Sequence, residues 1–286
     1  MKTLIITPAC NEEKYLSALI QSMASQSSLP EEWIIIDDGS TDNTTDLIQN
    51  ACLEYPWIRY IRKEKEDVRS PGRSVMDVFY HGFEQRLAND YDIVMKLDAD
   101  LILPNNYLSE IKKHFLNNEK IGICGGVCVI KNKSGTLIEP GTNLDHLRGP
   151  IKAYRRNCFE EIGGLVKNMG WDTIDEHHAR FLGWQVCVIR DLEVLHRRRT
   201  NTEYGLVKAA YVNGKMIYSI RMDFLLLLTN CFKRMIIWPY CILGLVMLIG
   251  YLVAFFTRHE KIVSKELGQS IRRYRYQKIS DRFFKK

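Results

Sequence analysis

Residues 91–104 read YDIVMKLDADLILP, an apolar run of strand length that ends in two aspartates, Asp98 and Asp100, one residue apart. In a strand, residues i and i+2 project to the same side, so the two carboxylates are expected to converge on one ion or its water shell. Hard oxygen ligands select Mg²⁺ or Mn²⁺. The preceding stretch, Tyr91 to Leu97, reads as a buried strand, which sets the pair at a carboxyl end of the sheet, where open α/β sheets bind ligands. Surface loops carry many Asp-x-Asp triplets, so the neighbouring segments must decide what this one does.

Toward the amino terminus, Leu4–Thr7 and Trp33–Ile36 are short apolar runs that end in polar clusters. Glu12–Ala24 places Leu16, Leu19, Ile20 and Met23 at a helical period, and Thr41–Cys52 repeats the pattern with Thr41 or Asp42 able to cap its start. Trp57–Ile61 and Ile93–Leu97 supply further strands, with Val75–Leu87 a helix between them. Strand, helix, strand in succession predicts an α/β fold with a mostly parallel central sheet covered by helices on both faces. Beyond Ile121 the pattern is mixed: strands at Ile121–Ile130 and Gln185–Ile189, a loop at Gly141–Pro150 and a helix at Ile174–Leu182.

A chain of 286 residues, 46% hydrophobic and 26% charged, can bury one core, or one domain with an appendage. Eight scattered cysteines, with only a CxxxC pair at Cys124 and Cys128, support neither a zinc site nor a disulfide framework, so a reducing cytoplasm is expected. The amino-terminal MKTLIITPACNEE lacks an apolar stretch of signal-peptide length and reads as a first strand. The net charge of +6 is uneven, because residues 258–286 carry ten Lys or Arg against three acids. That basic tail follows Ile236–Phe256, 21 residues without a formal charge, long enough as one helix to cross a hydrocarbon core ~30 Å thick. Anionic lipid is therefore the expected partner of residues 224–286, and nucleic acid is not. Lys233 and Arg234 make the near flank basic too, so either a single crossing or a re-entrant or interfacial hairpin with both ends cytoplasmic fits the charge pattern. A buried core helix is the third alternative.

Four polar clusters stand in order along the chain. They are TPACNEEKYL with Pro8, Ala9, Asn11 and Glu12; IIIDDGSTDNT with Asp37 and Asp38; the Asp98/Asp100 pair; and GWDTIDEHHARFLGW from Gly170 to Trp184. Together they resemble family 2 glycosyltransferases over residues 1 to about 200. The resemblance implies a GT-A fold, the α/β architecture of nucleotide-diphospho-sugar transferases, and transfer of a sugar from a UDP- or GDP-type donor. Taken together with the apolar run and the charge count, which are separate observations, it divides the chain into a catalytic domain at 1–205 (nucleotide-binding half 1–100, acceptor half 101–205), an apolar membrane-associated helical region at 206–257 and the basic tail at 258–286.

Within that resemblance Asp37 or Asp38 accepts a hydrogen bond from a base NH, Asp37 being the better contact, and Pro8, Ala9, Asn11 and Glu12 wall the nucleoside. Asp38, Ser40 and Asp42 fit an ordinary Asx turn and helix cap equally well. Asp98 and Asp100 would hold a Mn²⁺ or Mg²⁺ ion on the donor's diphosphate, with Asp98 also touching the nucleotide sugar, and His196 resembles the histidine that completes such a site. Arg197, Arg198 and Arg199 fall near the phosphates or are solvated. Arg69 and Arg73 fall where relatives contact phosphate or belong to a solvated loop, and Arg148 and Arg155 are further candidates for anion contacts.

Inverting transfer needs a base for the acceptor hydroxyl. The family carries it on a Gly-Glu-Asp segment after an Ile-Gly-Gly; here Ile162-Gly163-Gly164 is present and Gly170-Trp171-Asp172 stands in the second place. Asp172 is the first choice, and Asp175, three residues on along one helical face, is the second. Thr173 and Glu176 form a potential capping box. The expected enzyme sits at the cytoplasmic face of the cell membrane and acts on a lipid-linked or surface-glycan acceptor. The rival reading is a catalytically inactive GT-A domain serving as a membrane scaffold for glycan assembly. A nucleotidyltransferase is disfavoured because no glycine-rich phosphate loop stands near the amino terminus.

Overall fold

Leu4, Ile5 and Ile6 are all fully buried, yet they serve two different cores. Ile5 packs with Leu16, Leu19, Trp33 and Ile35, whereas Leu4 and Ile6 pack with Ile34, Ile36, Met76 and Phe79 on the opposite side. Successive strand residues point to opposite faces, so a continuous apolar run means a strand covered on both. The computed structural model describes residues 1–64, 73–132, 135–138, 145–198, 205–236 and 238–284. The chain divides into two compact units, Met1–Arg199 and Thr200–Lys286.

In the first unit, β1 (Thr3–Ala9), β2 (Glu32–Asp38), β3 (Ile58–Lys63) and β4 (Ile93–Leu97) alternate with α1 (Leu16–Ala24), α2 (Thr44–Glu54) and α3 (Arg73–Glu84). These four strands pair in parallel in the order β3-β2-β1-β4. Then follow β5 (Leu101–Ile102), α4 (Tyr107–Asn117), β6 (Ile121–Asn132), β7 (Gly135–Ile138), β8 (Ile151–Arg155), α5 (Arg156–Glu161), α6 (Trp171–Phe181) and β9 (Gln185–His196). The sheet continues β4-β8-β6-β9-β5, with β7 on β6. The sheet is mixed rather than mostly parallel, because β8 returns antiparallel between β4 and β6 and β5 lies antiparallel to β9. That reversal matters for the site. It brings the start of β8 and the end of β9 to the edge where β1, β2 and β4 end.

The second unit holds α7 (Leu206–Ser219), α8 (Phe224–Met235), α9 (Ile242–Phe256) and α10 (Lys265–Phe284). Two glycines let α7 and α9 touch backbone to backbone: a Cβ on Gly250 would stand 2.1 Å from the Tyr211 carbonyl oxygen, and one on Gly214 2.0 Å from that of Met247. Asp223 caps α8 by accepting the Leu226 N–H at 3.0 Å and takes the Tyr276 hydroxyl of α10 at 2.7 Å. Arg272 of α10 donates to the Arg221 carbonyl, and Arg221 to that of Val263, so the basic tail folds with the apolar helices.

The uncharged run Ile236–Phe256 is not one helix. Its first residues lie between α8 and α9, where Cys241 has φ of 64°, and α9 keeps 15 residues. At the helical rise that is roughly 22 Å, short of a hydrocarbon core of about 30 Å. No helix among the described residues is long and apolar enough to cross a membrane. Phe224, Leu225, Phe232, Trp238, Ile249 and Phe256 are each more than half exposed.

Candidate active site

At the carboxyl edge of the parallel strands, the turn after β1 is sewn to the turn after β2. Asn11, with φ of 56°, donates its N–H to Ser40 Oγ at 3.0 Å and accepts the Thr41 N–H on its side-chain oxygen at 2.8 Å. Asparagine tolerates that left-handed backbone better than most residues. The Glu12 N–H goes to Thr44 Oγ1 at 2.8 Å, and Asp42 accepts from both Glu13 N and Thr44 N. Asn43 rather than Thr41 or Asp42 is the N-cap residue of α2, although Asp42 takes a first-turn N–H.

Asp37 is wholly buried, and its carboxylate accepts the Ser40 N–H at 2.8 Å and the Thr45 hydroxyl at 2.6 Å. It shapes the turn. Asp38, half-buried at the tip of β2, is the carboxylate of the pair that a ligand at this edge can reach. Pro8 is likewise half-buried, whereas Ala9 packs into the core.

Asp98-Ala99-Asp100 turns the chain from β4 into β5 and is not part of either strand. The strand rule therefore does not govern the pair, and Asp98 Oδ1 instead meets the ammonium of Lys96, the last but one residue of β4. Lys96 is buried, while Asp98 is 31% exposed. Asp100 has other partners. Pairing of Leu101 with His196 across β5 and β9 brings the imidazole Nε2 to 3.3 Å from Asp100 Oδ1. Arg198 donates Nε to Asp100 Oδ2 at 3.1 Å and Nη2 to Glu12 Oε1 at 2.7 Å. Burial alone would raise the Asp100 carboxyl, but His196 and Arg198 outweigh it and hold Asp100 below the ordinary range. Glu12 is pushed up to about 7, by burial first, with Asp100 and Asp98 adding and Arg198 opposing.

This donor set fits a hard divalent cation. Two carboxylates from one turn stand with the imidazole that ends β9, and Glu12 Oε2 is buried beside them without a hydrogen-bond partner. As the side chains stand, no three His, Cys, Asp or Glu among the described residues close on one point, and Lys96 and Arg198 supply the positive charge. Arg197 gives its N–H to the Asp100 carbonyl at 2.9 Å and sets its guanidinium 5.3 Å from the Tyr15 ring centre. Arg69, the side chain of Arg73 and Arg199 lie outside the described residues.

Across the turn, Gly149 and Pro150 lead into β8. The Asp98 N–H bonds to the Pro150 carbonyl at 3.0 Å, and a Cβ on Gly149 would meet Trp171 Cζ2 at 2.9 Å and Asp172 Cβ at 3.4 Å. The first turn of α6 is thereby laid against the Asp98 turn. The Trp171 ring lies 5.3 Å from the Lys96 ammonium and 5.9 Å from that of Lys152, a π face shared between two buried cations. Asp172, in the first turn of α6, keeps a side chain 30% exposed.

Asp175 is different. Lys152 Nζ stands 2.9 Å from both its oxygens, Tyr154 donates its hydroxyl to Oδ2, and the side chain is 1% exposed. Enclosed in this way it braces α6 against β8 and offers no oxygen to a substrate. The capping box is also absent: Gly170, at φ of 81°, is the N-cap of α6, and Glu176 turns inward to Lys152, His146 and Arg180. Burial favours the neutral Glu176, yet Lys152, His146 and Arg180 prevail and hold it well below the usual carboxylate range.

His146 and Lys152 are the site residues that the sequence pattern did not mark. His146 Nδ1 lies 3.1 Å from Glu176 Oε1 and its Nε2 4.0 Å from Asp172 Oδ2. Arg155, expected as an anion contact, spends Nε and Nη2 on the carbonyls of Ile121, Phe115 and Asn118.

The family model described as Glycosyl transferase family 2 matches residues 4–170. An uncharacterized glycosyltransferase of Nostoc sp. is 27% identical over 171 residues, 58% of this chain and 50% of that protein. The poly-beta-1,6-N-acetyl-D-glucosamine synthase of Staphylococcus epidermidis is 30% identical over 130 residues, 45% of this chain and 29% of the synthase. The chain thus spans half or less of the length of these curated relatives. Among solved structures, S. aureus TarS 1–349 in complex with UDP-GlcNAc superposes with a TM-score of 0.60 at 16% identity, over 78% of this chain and 68% of that one. The Pyrobaculum calidifontis mannosyltransferase in complex with GDP-Man and Mn²⁺ gives 0.59 at 14% identity, over 98% and 80%. Likeness at this identity shows a shared GT-A-like fold.

Proposed function

The chain belongs to glycosyl transferase family 2, and from that premise we propose that it moves a sugar from a nucleotide-diphosphate donor to a hydroxyl of a lipid-linked or surface-glycan acceptor, with inversion. The observation that carries the reading is the single edge on which Asp98, Asp100, His196 and Arg198 face Asp172 across Gly149 and Pro150. Asp38 and the Pro8 to Glu12 turn receive the nucleoside. Asp98, Asp100 and His196 would hold a Mn²⁺ or Mg²⁺ ion, which supplies charge neutralisation for the diphosphate when bound. Solved structures of the same fold carry Mn²⁺ with GDP-Man, or with UDP and GalNAc, which supports a divalent metal here.

Arg198 adds a fixed positive charge to that edge. The acceptor oxygen attacks the anomeric carbon, the bond from that carbon to the phosphate oxygen breaks with its electron pair going to the nucleoside diphosphate, and Asp172 takes the acceptor's proton. Release of UDP from UDP-GlcNAc, or of GDP from GDP-mannose, tests this in the presence of Mn²⁺. The native chain should turn over one donor and Asp98→Ala should not. Absence of any metal-dependent difference would favour an inactive scaffold.

The exposed apolar side chains of α8 and α9, together with the +7 charge of residues 258–286, support docking of the second unit into an anionic leaflet at the cytoplasmic face. The length of α9 favours helices that lie in the interface over helices that cross it. Flotation with phosphatidylglycerol vesicles checks the lipid partner, since binding should be lost in phosphatidylcholine vesicles at high salt. In sealed right-side-out vesicles, protease added outside should leave the tail intact; digestion would overturn the interfacial hairpin.

A further inference from the structure

We propose that His146 is a positioning residue for the transfer step, fixed by Glu176 and aimed at the carboxylate of Asp172. This rests on the reading of Asp172 as the base. The loop that carries His146 is clamped to α6 at three points. Glu176 Oε1 accepts the Leu147 N–H at 2.8 Å, the same oxygen stands 3.1 Å from His146 Nδ1, and Arg180 joins Glu176 Oε2 at 3.1 Å to the Asp145 carbonyl at 2.7 Å. Glu176 is itself immobile, being 2% exposed and 3.0 Å from the buried Lys152 ammonium.

An ionised carboxylate only accepts hydrogen bonds, so the ring nitrogen facing Glu176 carries a proton. By the same rule Nε2, 4.0 Å from Asp172 Oδ2, holds that oxygen only with a proton of its own, so the contact forms with the ring protonated on both nitrogens, after a small rotation of the part-exposed Asp172 side chain closes the gap. Holding Oδ2 in this way leaves Oδ1 for the acceptor hydroxyl. A base whose rotamer is fixed by a second, buried layer reacts from a smaller set of geometries, which raises kcat rather than substrate affinity. The arrangement is a carboxylate, imidazole, carboxylate series with its buried end anchored and its outer end at the substrate edge. His146 is 25% exposed, so the ring borders the site and is not a sealed core histidine.

Two variants separate the ring's contacts. In His146→Asn the side-chain amide keeps a donor near the Nδ1 position and so keeps the Glu176 bond, but nothing reaches Asp172. In His146→Ala both contacts go, leaving room for free imidazole. Nitrogen-15 spectra of the unliganded protein should show both ring nitrogens of His146 protonated, and Asp172→Asn should shift its Nε2 signal. An Nε2 signal indifferent to Asp172→Asn, or a ring unprotonated at either nitrogen, would overturn the proposal without any substrate.

In Mn²⁺-dependent release of UDP from UDP-GlcNAc or GDP from GDP-mannose, His146→Asn should lower kcat about tenfold or more with the donor KM within twofold. Free imidazole should restore part of the His146→Ala loss. Unchanged kcat in His146→Asn contradicts the proposal. If instead Asp172→Asn keeps full turnover while the Nε2 shift is seen, the base assignment fails and the His146 contact to Asp172 stands.

Discussion

Removing the Lys152 ammonium should unfold the acceptor half of the site before it affects any chemistry. Lys152 is fully buried, 2.9 Å from both oxygens of Asp175 and 3.0 Å from Glu176 Oε1, and it also donates to the Asp172 carbonyl. Lys152→Met keeps the length of the stem and removes the charge. Glu176 retains His146 and Arg180, but Asp175 is left with the Tyr154 hydroxyl and one backbone N–H in a place without water. Deleting one partner of a buried ion pair costs about 3–5 kcal/mol.

For a domain of this size each kcal/mol lowers Tm by roughly 2–4 °C, so the expected drop is of order 10 °C. Near-ultraviolet circular dichroism during heating follows it through Trp171, which packs beside Lys152. Lys152→Met/Asp175→Asn should recover part of the loss, since the second change removes the stranded charge, and the coupling between the two should exceed ~1 kcal/mol. A loss below about 1 kcal/mol for Lys152→Met, or strict additivity, would refute the assignment of Asp175 as a brace of α6.

Lys96 competes with a cation for Asp98, so Lys96→Met should tighten Mn²⁺ binding. Even at the dielectric of bulk water a unit charge and a dication ~4 Å apart repel by about 2 kcal/mol, so the gain in Kd should be at least about tenfold, and calorimetric titration of Mn²⁺ alone reads it. Glu12 yields a stability prediction of definite sign. Its folded value of about 7 exceeds the ordinary 4.5, so between those pH values the folded chain holds a proton that the unfolded chain has released. Stability then falls as pH rises through that window and levels off above it. Glu12→Gln should flatten the fall, which Tm measured at pH 5 and pH 8 in both proteins will show.

Much of the first unit was legible because β1, β2 and β4 carry apolar runs that end in polar turns and β3 is a short apolar-aromatic segment. β1, β2, β3 and β4 and the helices after the first three follow from period and punctuation alone. β8 was not legible: five residues, IKAYR, with a lysine at the second position carry no strand alternation of their own, and only the buried acids Asp175 and Glu176, more than twenty residues on, explain that lysine. The reversal of β8 is what makes the sheet mixed. His146 was hidden for the same reason, since its partners stand on α6 and nothing in the local sequence ties it to them. Asp98 and Asp100 were found by their spacing, but for an incomplete reason. They sit in a turn, and it is the pairing of β5 with β9 that brings His196 and Arg198 to Asp100. The uncharged run 236–256 is long enough for one helix by composition, but hydropathy does not register the break before α9.

The account stands or falls on the nucleotide-sugar edge. The most direct measurement is calorimetric binding of UDP-GlcNAc and GDP-mannose to the native chain and to Asp100→Asn, each with and without Mn²⁺. One donor should bind the native chain, more tightly when Mn²⁺ is present, and Asp100→Asn should remove the Mn²⁺ dependence. Equal binding with and without Mn²⁺ in both proteins, or no binding of either donor, would contradict the account.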